Sequence, residues 1–248
     1  MQFKLEICAD SVESAVNAQQ AGAHRIELCS SLPEGGTTPS YGKILSARYN
    51  LDIDLNVIIR PRGADFLYSD LEYDEMIKEI EFCGEAGADG VVTGILLENG
   101  NIDVERMGRL VELADPMKVT FHRAFDLCAD PFRGIEDIIA TGAHRILTSG
   151  QKNSAADGSI LIGSLVRQAG ERIIIMPGGG ININNIGEVA KLTGASEFHL
   201  TGRKMKESEM EFRRAGIMMG GSAELSEYSW KVADVGTIAK ICEILKMI

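Results

Sequence analysis

Short apolar runs recur along this chain, ending near Cys8, Cys29, Arg60, Gly94, His122, Ser149, Pro177 and Thr201. Between them lie stretches whose apolar residues fall at helical spacing, as Ile135, Ile138 and Ile139 do. Two of these helices carry readable starts. Asp10-Ser11-Val12-Glu13 reads as a capping box, and Asp130-Pro131 as an N-cap followed by proline at the first helical position. Pro177-Gly178-Gly179-Gly180 ends the seventh run, with Asn182 placed to cap the helix after it. After the eighth run the rhythm breaks. Residues 203–230 read as a polar, irregular excursion containing Met218-Met219-Gly220-Gly221. A last helix carrying Val232, Val235, Ile238, Cys242 and Leu245 then closes the chain.

A repeat sits on top of this pattern. Gly-Ala-His-Arg-Ile occurs at Gly22–Ile26 and again at Gly142–Ile146, with looser copies at Gly87–Val91 and Gly194–Phe198. Each copy follows a helical stretch and runs into an apolar segment, as a left-handed glycine does when it hands a helix over to a strand. The copies start 52 to 65 residues apart, about two strand–helix units, so they mark every second unit of eight. Eight alternations with right-handed crossovers predict an α/β fold, a (β/α)8 TIM-type barrel forming one domain over residues 1–248. An open doubly wound sheet competes, but repeats spread over the whole length favour closure.

Composition narrows the setting. No apolar run approaches the roughly 20 residues that cross a bilayer, and Met1–Glu6 leads into a strand without a signal-peptide core. Five scattered cysteines without a CxxC pair read as reduced thiols in a cytoplasmic protein. A net charge of −11 argues against nucleic acid or an anionic membrane as partner, while leaving room for a small anionic ligand at a local basic cluster.

Strand side chains alternate faces, so aligning the repeat copies sorts residues into layers. Arg25, Gly90, Arg145 and Glu197 fall in one inward layer near the N-terminal end, where a buried Arg–Glu–Arg cluster is the plainest reading. Glu27, Val92, Leu147 and His199 form the next layer, then Cys29, Gly94, Ser149 and Thr201. The same parity brings Glu6, Cys8, Arg60 and His122 toward the C-terminal rim, where barrel chemistry sits. With Arg62 and Asp126 from the following loops, the candidate catalytic set is Glu6, Glu27, Arg60, Arg62, His122, Asp126 and His199. Arg123, of opposite parity, is placed to anchor Asp126. Glycine turns with an arginine beside them (Gly178, Gly179, Gly180, Gly202 and Arg203) make a candidate anion or cofactor cradle. No organic cofactor is expected. Cys8 and Cys29 occupy equivalent positions on neighbouring strands, so their sulfurs approach. They are either two small buried thiols or ligands for a soft ion such as Cu(I).

Several strings together resemble the CutC family of copper homeostasis proteins. They are Leu5–Cys8, Arg25–Cys29, Glu34–Ser40, Ile59–Gly63, Val119–Asp126, Leu147–Lys152 and the glycine turn with Asn185. The match runs in order from about residue 3 to 200. The resemblance implies a cytoplasmic (β/α)8 barrel, often a homo-oligomer, with a role in copper homeostasis and metal binding through cysteines at Cys8 and Cys29. Ala9 stands where many members carry a second, adjacent cysteine, and Leu200–Arg203 departs from the family's small Ser/Ala-rich stretch. Two functional expectations result. One is a copper protein binding Cu(I) through Cys8 and Cys29, helped by Cys128 or a methionine. The other is a lyase, isomerase or hydrolase acting on a small phosphorylated or carboxylated metabolite, with His122 and Glu27 or Glu6 moving a proton.

Overall fold

In the computed structural model, which describes residues 3–217, 219 and 226–248, eight parallel strands alternate with helices around a nearly closed barrel. The strands are β1 (Lys4–Ala9), β2 (Arg25–Leu28), β3 (Asp54–Ile58), β4 (Gly90–Thr93), β5 (Lys118–Phe121), β6 (Arg145–Thr148), β7 (Ile174–Pro177) and β8 (Glu197–Leu200). The helices that follow them are α1 (Val12–Gln20), α2 (Tyr41–Asn50), α3 (Asp70–Glu85), α4 (Val104–Ala114), α5 (Pro131–Ala140), α6 (Ser159–Ala169) and α7 (Ile186–Thr193), and α8 (Val235–Lys246) completes the ring. Every strand ends within two residues of the end expected from the apolar pattern. The single-domain (β/α)8 architecture is therefore the one observed.

The repeat has a definite job. Its four glycines carry φ of +92°, +77°, +84° and +67°, the left-handed region that a Cβ disfavours. The two histidines do the same thing twice: His24 Nδ1 accepts from Leu5 N–H at 3.1 Å, and His144 Nδ1 accepts from Val119 N–H at 3.2 Å. Each His backbone N–H in turn donates to the carbonyl of that same residue. The duplicated string thus staples the start of one strand to the start of the strand before it.

Caps follow the sequence with two shifts, one at α1 and one at α7, whose N-cap is Asn185 rather than Asn182, the latter accepting from Asn184 N–H in the turn before it. Asp130 accepts from Phe132 and Arg133 N–H with Pro131 at the first turn, but α1 is capped by Ser11, which accepts from Ser14 N–H. Larger differences come after β8. The stretch expected to be irregular opens with β9 (Arg203–Glu207) and ends in β10 (Ser229–Ala233), an antiparallel ribbon outside the barrel. Val232 therefore belongs to β10, and the last helix starts at Val235. Arg203–Glu207 is largely exposed and has a single apolar residue, Met205, so neither a strand nor a helix period marks it in the sequence. The ribbon lies on α1, with Asn17 donating to the Ala233 carbonyl and Ala233 N–H donating to Ser14. Of Met218-Met219-Gly220-Gly221, residues 218, 220 and 221 lie outside the described residues.

Strand pairing runs continuously from β7 through β6, β5, β4, β3, β2 and β1 to β8. Between β7 and β8 the described residues make one isolated bridge, Gly178 with His199. The apolar layer between strands and helices is filled by Ile7, Ile26, Val57, Val91, Phe121, Ile146 and Phe198, all fully buried. Inside the barrel, charged and polar side chains such as Glu6, Arg25, Glu27, Arg145 and Glu197 are buried beside apolar ones such as Val92 and Leu147.

Candidate functional site

The lowest polar layer is the expected ion cluster. Glu197 Oε2 accepts from Arg25 Nη2 and Arg145 Nε, each at 2.7 Å, and Arg25 Nε donates to Glu6 Oε2 at 2.5 Å. The register explains the meeting, since Glu6 lies opposite Arg25 on one side and His199 on the other. Burial alone would raise the Glu6 pKa. Arg25 and the bond to His199 outweigh it and hold the carboxyl well below its usual range. Glu6 Oε1 sits 2.7 Å from His199 Nδ1, and that contact fixes the ring with Nε2 turned away from the cluster.

One layer up lies the floor of a cavity. Cys8, Glu27 and His199 are all buried there and offer ligand atoms within 4.8 Å of one another. Cys8 Sγ is 3.4 Å from Glu27 Oε1 and 3.7 Å from Cys29 Sγ. The contact with Cys29, burial and the Glu27 charge push the Cys8 thiol far up. Burial likewise raises Glu27. His199 feels opposing effects: burial disfavours its charge, but Glu27 and the bond to Glu6 win and raise its pKa. Cys29 stands behind Cys8, its Sγ 3.5 Å from the Ala9 carbonyl, packed with Ile58 and Val92.

The cavity above this floor measures about 240 Å³ and opens at the C-terminal ends of the strands. Arg60, Phe66, His122, Arg123, Gly179 and Gly180 are among its walls. Arg60 is buried, with Nη1 donating to the Glu34 and Gly36 carbonyls, Nη2 to Ala64, and its plane 4.9 Å over the Phe66 ring. His122 Nδ1 accepts from Ala124 N–H at 3.3 Å, and burial together with the Arg60 charge lowers its pKa to about 3. His122 is therefore a neutral imidazole with its proton on Nε2. The ring fits because residue 94 is glycine: a Cβ there would stand 2.7 Å from His122 Nδ1. Among the described residues, Arg60 Nε, His122 Nε2 and Glu27 Oε2 are buried atoms that meet no hydrogen-bond partner at full geometry.

Of the seven expected catalytic residues, Glu27, Arg60, His122 and His199 come together on this cavity. The other three do not line it. Glu6 is a layer deeper, wholly buried and spent on Arg25, Asn56 and His199, so it positions His199 rather than facing the mouth. Arg62 points along the surface to Glu72 at 2.5 Å and Asp65 at 3.0 Å, because its loop turns outward after Pro61. Asp126 is consumed locally, accepting from Arg123, Thr148, Ser149 and Gln151. In the glycine cradle only Gly179 and Gly180 line the cavity. Gly178 packs on Leu147 and His199, Gly202 packs on Ile238, and Arg203 pairs with Asp10 at 3.5 Å on the ribbon. Arg123 anchors Asp126 as expected but also walls the cavity. Phe66 and Gly35 were missed; both come from loops whose path no periodicity sets.

The profile of the CutC family matches residues 3–204. A CutC family protein from Parabacteroides distasonis is 52% identical over 229 residues, 92% of this chain and 94% of that protein. The human copper homeostasis protein cutC homolog is 48% identical over 246 residues, 99% of this chain and 90% of its own length. Among solved structures, the CutC protein of Streptococcus agalactiae superposes with a TM-score of 0.77 at 36% identity, over 81% of this chain and 99% of that one. An N-(5'-phosphoribosyl)anthranilate isomerase from Pyrococcus furiosus superposes over the whole of both chains at 0.59 and 13% identity, a likeness of fold alone. Fold, motifs and full-length identity agree: the chain belongs to the CutC copper homeostasis family.

Proposed function

We propose that this protein handles copper as cargo, taking Cu(I) at the cavity floor through the thiolates of Cys8 and Cys29, with His199 Nε2 beside them. The observation that carries the reading is the pair of sulfurs 3.7 Å apart under the cavity. A soft monovalent ion prefers thiolate and imidazole ligands over carboxylate. His199 has the arrangement common to metal-bound histidines, Nδ1 held by the Glu6 carboxylate and Nε2 left to face an ion. Glu27, 3.4 Å from Cys8 Sγ, is placed to take the proton that the thiol gives up. Because both Cys8 and His199 have raised pKa values, ion uptake near pH 7 releases protons. Five free cysteines support the reducing cytoplasm as its setting. No helix among the described residues is long and apolar enough to cross a membrane.

Anaerobic Cu(I) titration against a competing chelator tests the reading. The wild-type chain should hold one ion, and Cys8→Ala/Cys29→Ala should weaken binding by at least tenfold, about 1.4 kcal/mol. Equal stoichiometry and affinity in the two proteins would remove these sulfurs as ligands.

A further inference from the structure

Cys29 is fully buried and is not among the residues lining the cavity, so an ion held by both sulfurs needs a way past whatever covers it. Around it, Cys8, Ile58 and Val92 are fixed in β1, β3 and β4. The rest of its enclosure is loop. Leu32 packs against the same group, and Gly36 lies over the thiol: a Cβ there would stand 3.5 Å from Cys29 Cβ and 3.9 Å from its Sγ. At φ +90°, Gly36 also takes a conformation that glycine alone adopts readily.

That loop, residues 31–36 between β2 and α2, is built as a separable piece. Ser30 and Thr37 close its base, Ser30 N–H donating to the Thr37 carbonyl at 2.9 Å and Thr37 N–H to the Ser30 carbonyl at 2.8 Å. Within it, the N–H groups of Glu34 and Gly36 donate to the Ser31 carbonyl, and that of Gly35 to Leu32. Ser31, Pro33, Glu34 and Gly35 are exposed. Among the described residues, only two hydrogen bonds tie residues 31–36 to the rest of the chain, both from Arg60 Nη1, to the Glu34 and Gly36 carbonyls. Arg60 Nη2 donates to the Ala64 carbonyl, and the buried Tyr68 hydroxyl lies beside the same guanidinium. One side chain thus joins the loop after β2 to the loop after β3. Each of these loops holds one non-glycine residue in the left-handed region, Ser31 at φ +47° and Ala64 at φ +64°. Strain of that kind collects at clamps and switches, where neighbouring contacts hold it in place.

We infer that residues 31–36 are a flap, hinged at Ser30 and Thr37 and latched by Arg60, which lifts to let a copper ion reach Cys29. Lifting breaks the two Arg60 bonds and uncovers Leu32 while the turn inside the flap and every barrel strand stay intact, so it is a local opening rather than unfolding. Arg60 is a positioning residue: it holds the flap and touches no ion. The purpose of the flap rests on the copper reading above; its motion does not.

The test treats metal-free, reduced protein with N-ethylmaleimide under native conditions and reads the initial alkylation rate of each cysteine by peptide mass spectrometry. Arg60→Lys keeps the charge but cannot span the three carbonyls. It should raise the Cys29 rate by about tenfold or more, while Cys83 on α3 and Cys242 on α8 change by less than about twofold. Leu32→Ala, a change in a half-buried loop residue, should act in the same direction and serves if Arg60→Lys does not fold. Stopped-flow transfer of Cu(I) from a chelator should quicken by a similar factor at unchanged stoichiometry. A Cys29 rate that stays at the wild-type value, or rises only in step with Cys83, would overturn the flap. Faster alkylation with unchanged copper transfer would overturn its role as a gate. A wild-type chain that holds no copper would overturn the copper reading alone, with the alkylation rates still deciding the flap.

Discussion

The pair Glu27–His199 shows how a buried residue takes its properties from its neighbours. His199 is raised against the effect of burial by Glu27 and by its bond to Glu6. In Glu27→Gln the Coulomb partner is gone, so the His199 midpoint, followed by NMR, should fall below its wild-type value; an unchanged midpoint would show that Glu6 alone sets it. Gly94 has an equally local role. Gly94→Ala would push a methyl group to 2.7 Å from His122 Nδ1 and 3.1 Å from the Phe121 ring. Displacing that ring should cost about 1–3 kcal/mol in urea unfolding and move the His122 signals. Stability within about 0.5 kcal/mol of wild type, with unmoved signals, would show the site to be looser than its geometry implies. Parity along strands placed Glu27, His199 and the two sulfurs from the sequence, because a strand's alternation is rigid. It could not place Arg62 or Asp126. Both follow their strands, where no period fixes direction, and their partners, Glu72 in the first turn of α3 and Thr148 at the end of β6, lie 10 and 22 residues away.

Elements here are joined by a small set of repeated devices. His24 and His144 each accept from the N–H of the second residue of the preceding strand, through similar geometry and with no shared partner. His24→Ala and His144→Ala should therefore each destabilise by about 0.5–1.5 kcal/mol. Their effects should add in the double variant. Strong non-additivity in denaturant unfolding would mean that the two staples are coupled through the barrel. The glycines of this repeat were legible because the left-handed cap and the strand after it are both local. The ribbon Arg203–Glu207 with Ser229–Ala233 was not. Its pairing spans more than twenty residues, and its faces are largely exposed, so no hydrophobic alternation announced it.

For the whole molecule, the barrel interior acts as a stacked set of charges whose titrations set the pH range of stability. Glu6 and Glu197 are depressed, Glu197 by Arg25 and Arg145 against the opposing effect of burial. Their contribution is present above the unfolded glutamate value near 4.3 and lost as pH falls through the folded value. His199 and Glu27 are raised, so what they contribute is present below their unfolded values and lost as pH rises. The net charge of −11 adds repulsion at high pH. Urea unfolding from pH 3 to 9 should thus peak between about pH 4.5 and 6.5. Glu197→Gln, which leaves the buried Arg145 guanidinium without a carboxylate and Arg25 with Glu6 alone, should lose about 3–5 kcal/mol at neutral pH and flatten the acid limb. Stability still climbing at pH 8 would contradict this ledger of protons. The eightfold architecture was readable because every second unit repeats a phrase; the site's walls were not, because closure brings them together from the ends of seven different strands. The join between β7 and β8, spanned by the lone Gly178–His199 bridge, has one more consequence. Hydrogen exchange should be fastest among barrel amides on either flank of that join, and an occupant touching His199 or Gly179 would act as a rivet. Slowed deuterium uptake there would then report filling of the cavity, whatever molecule fills it.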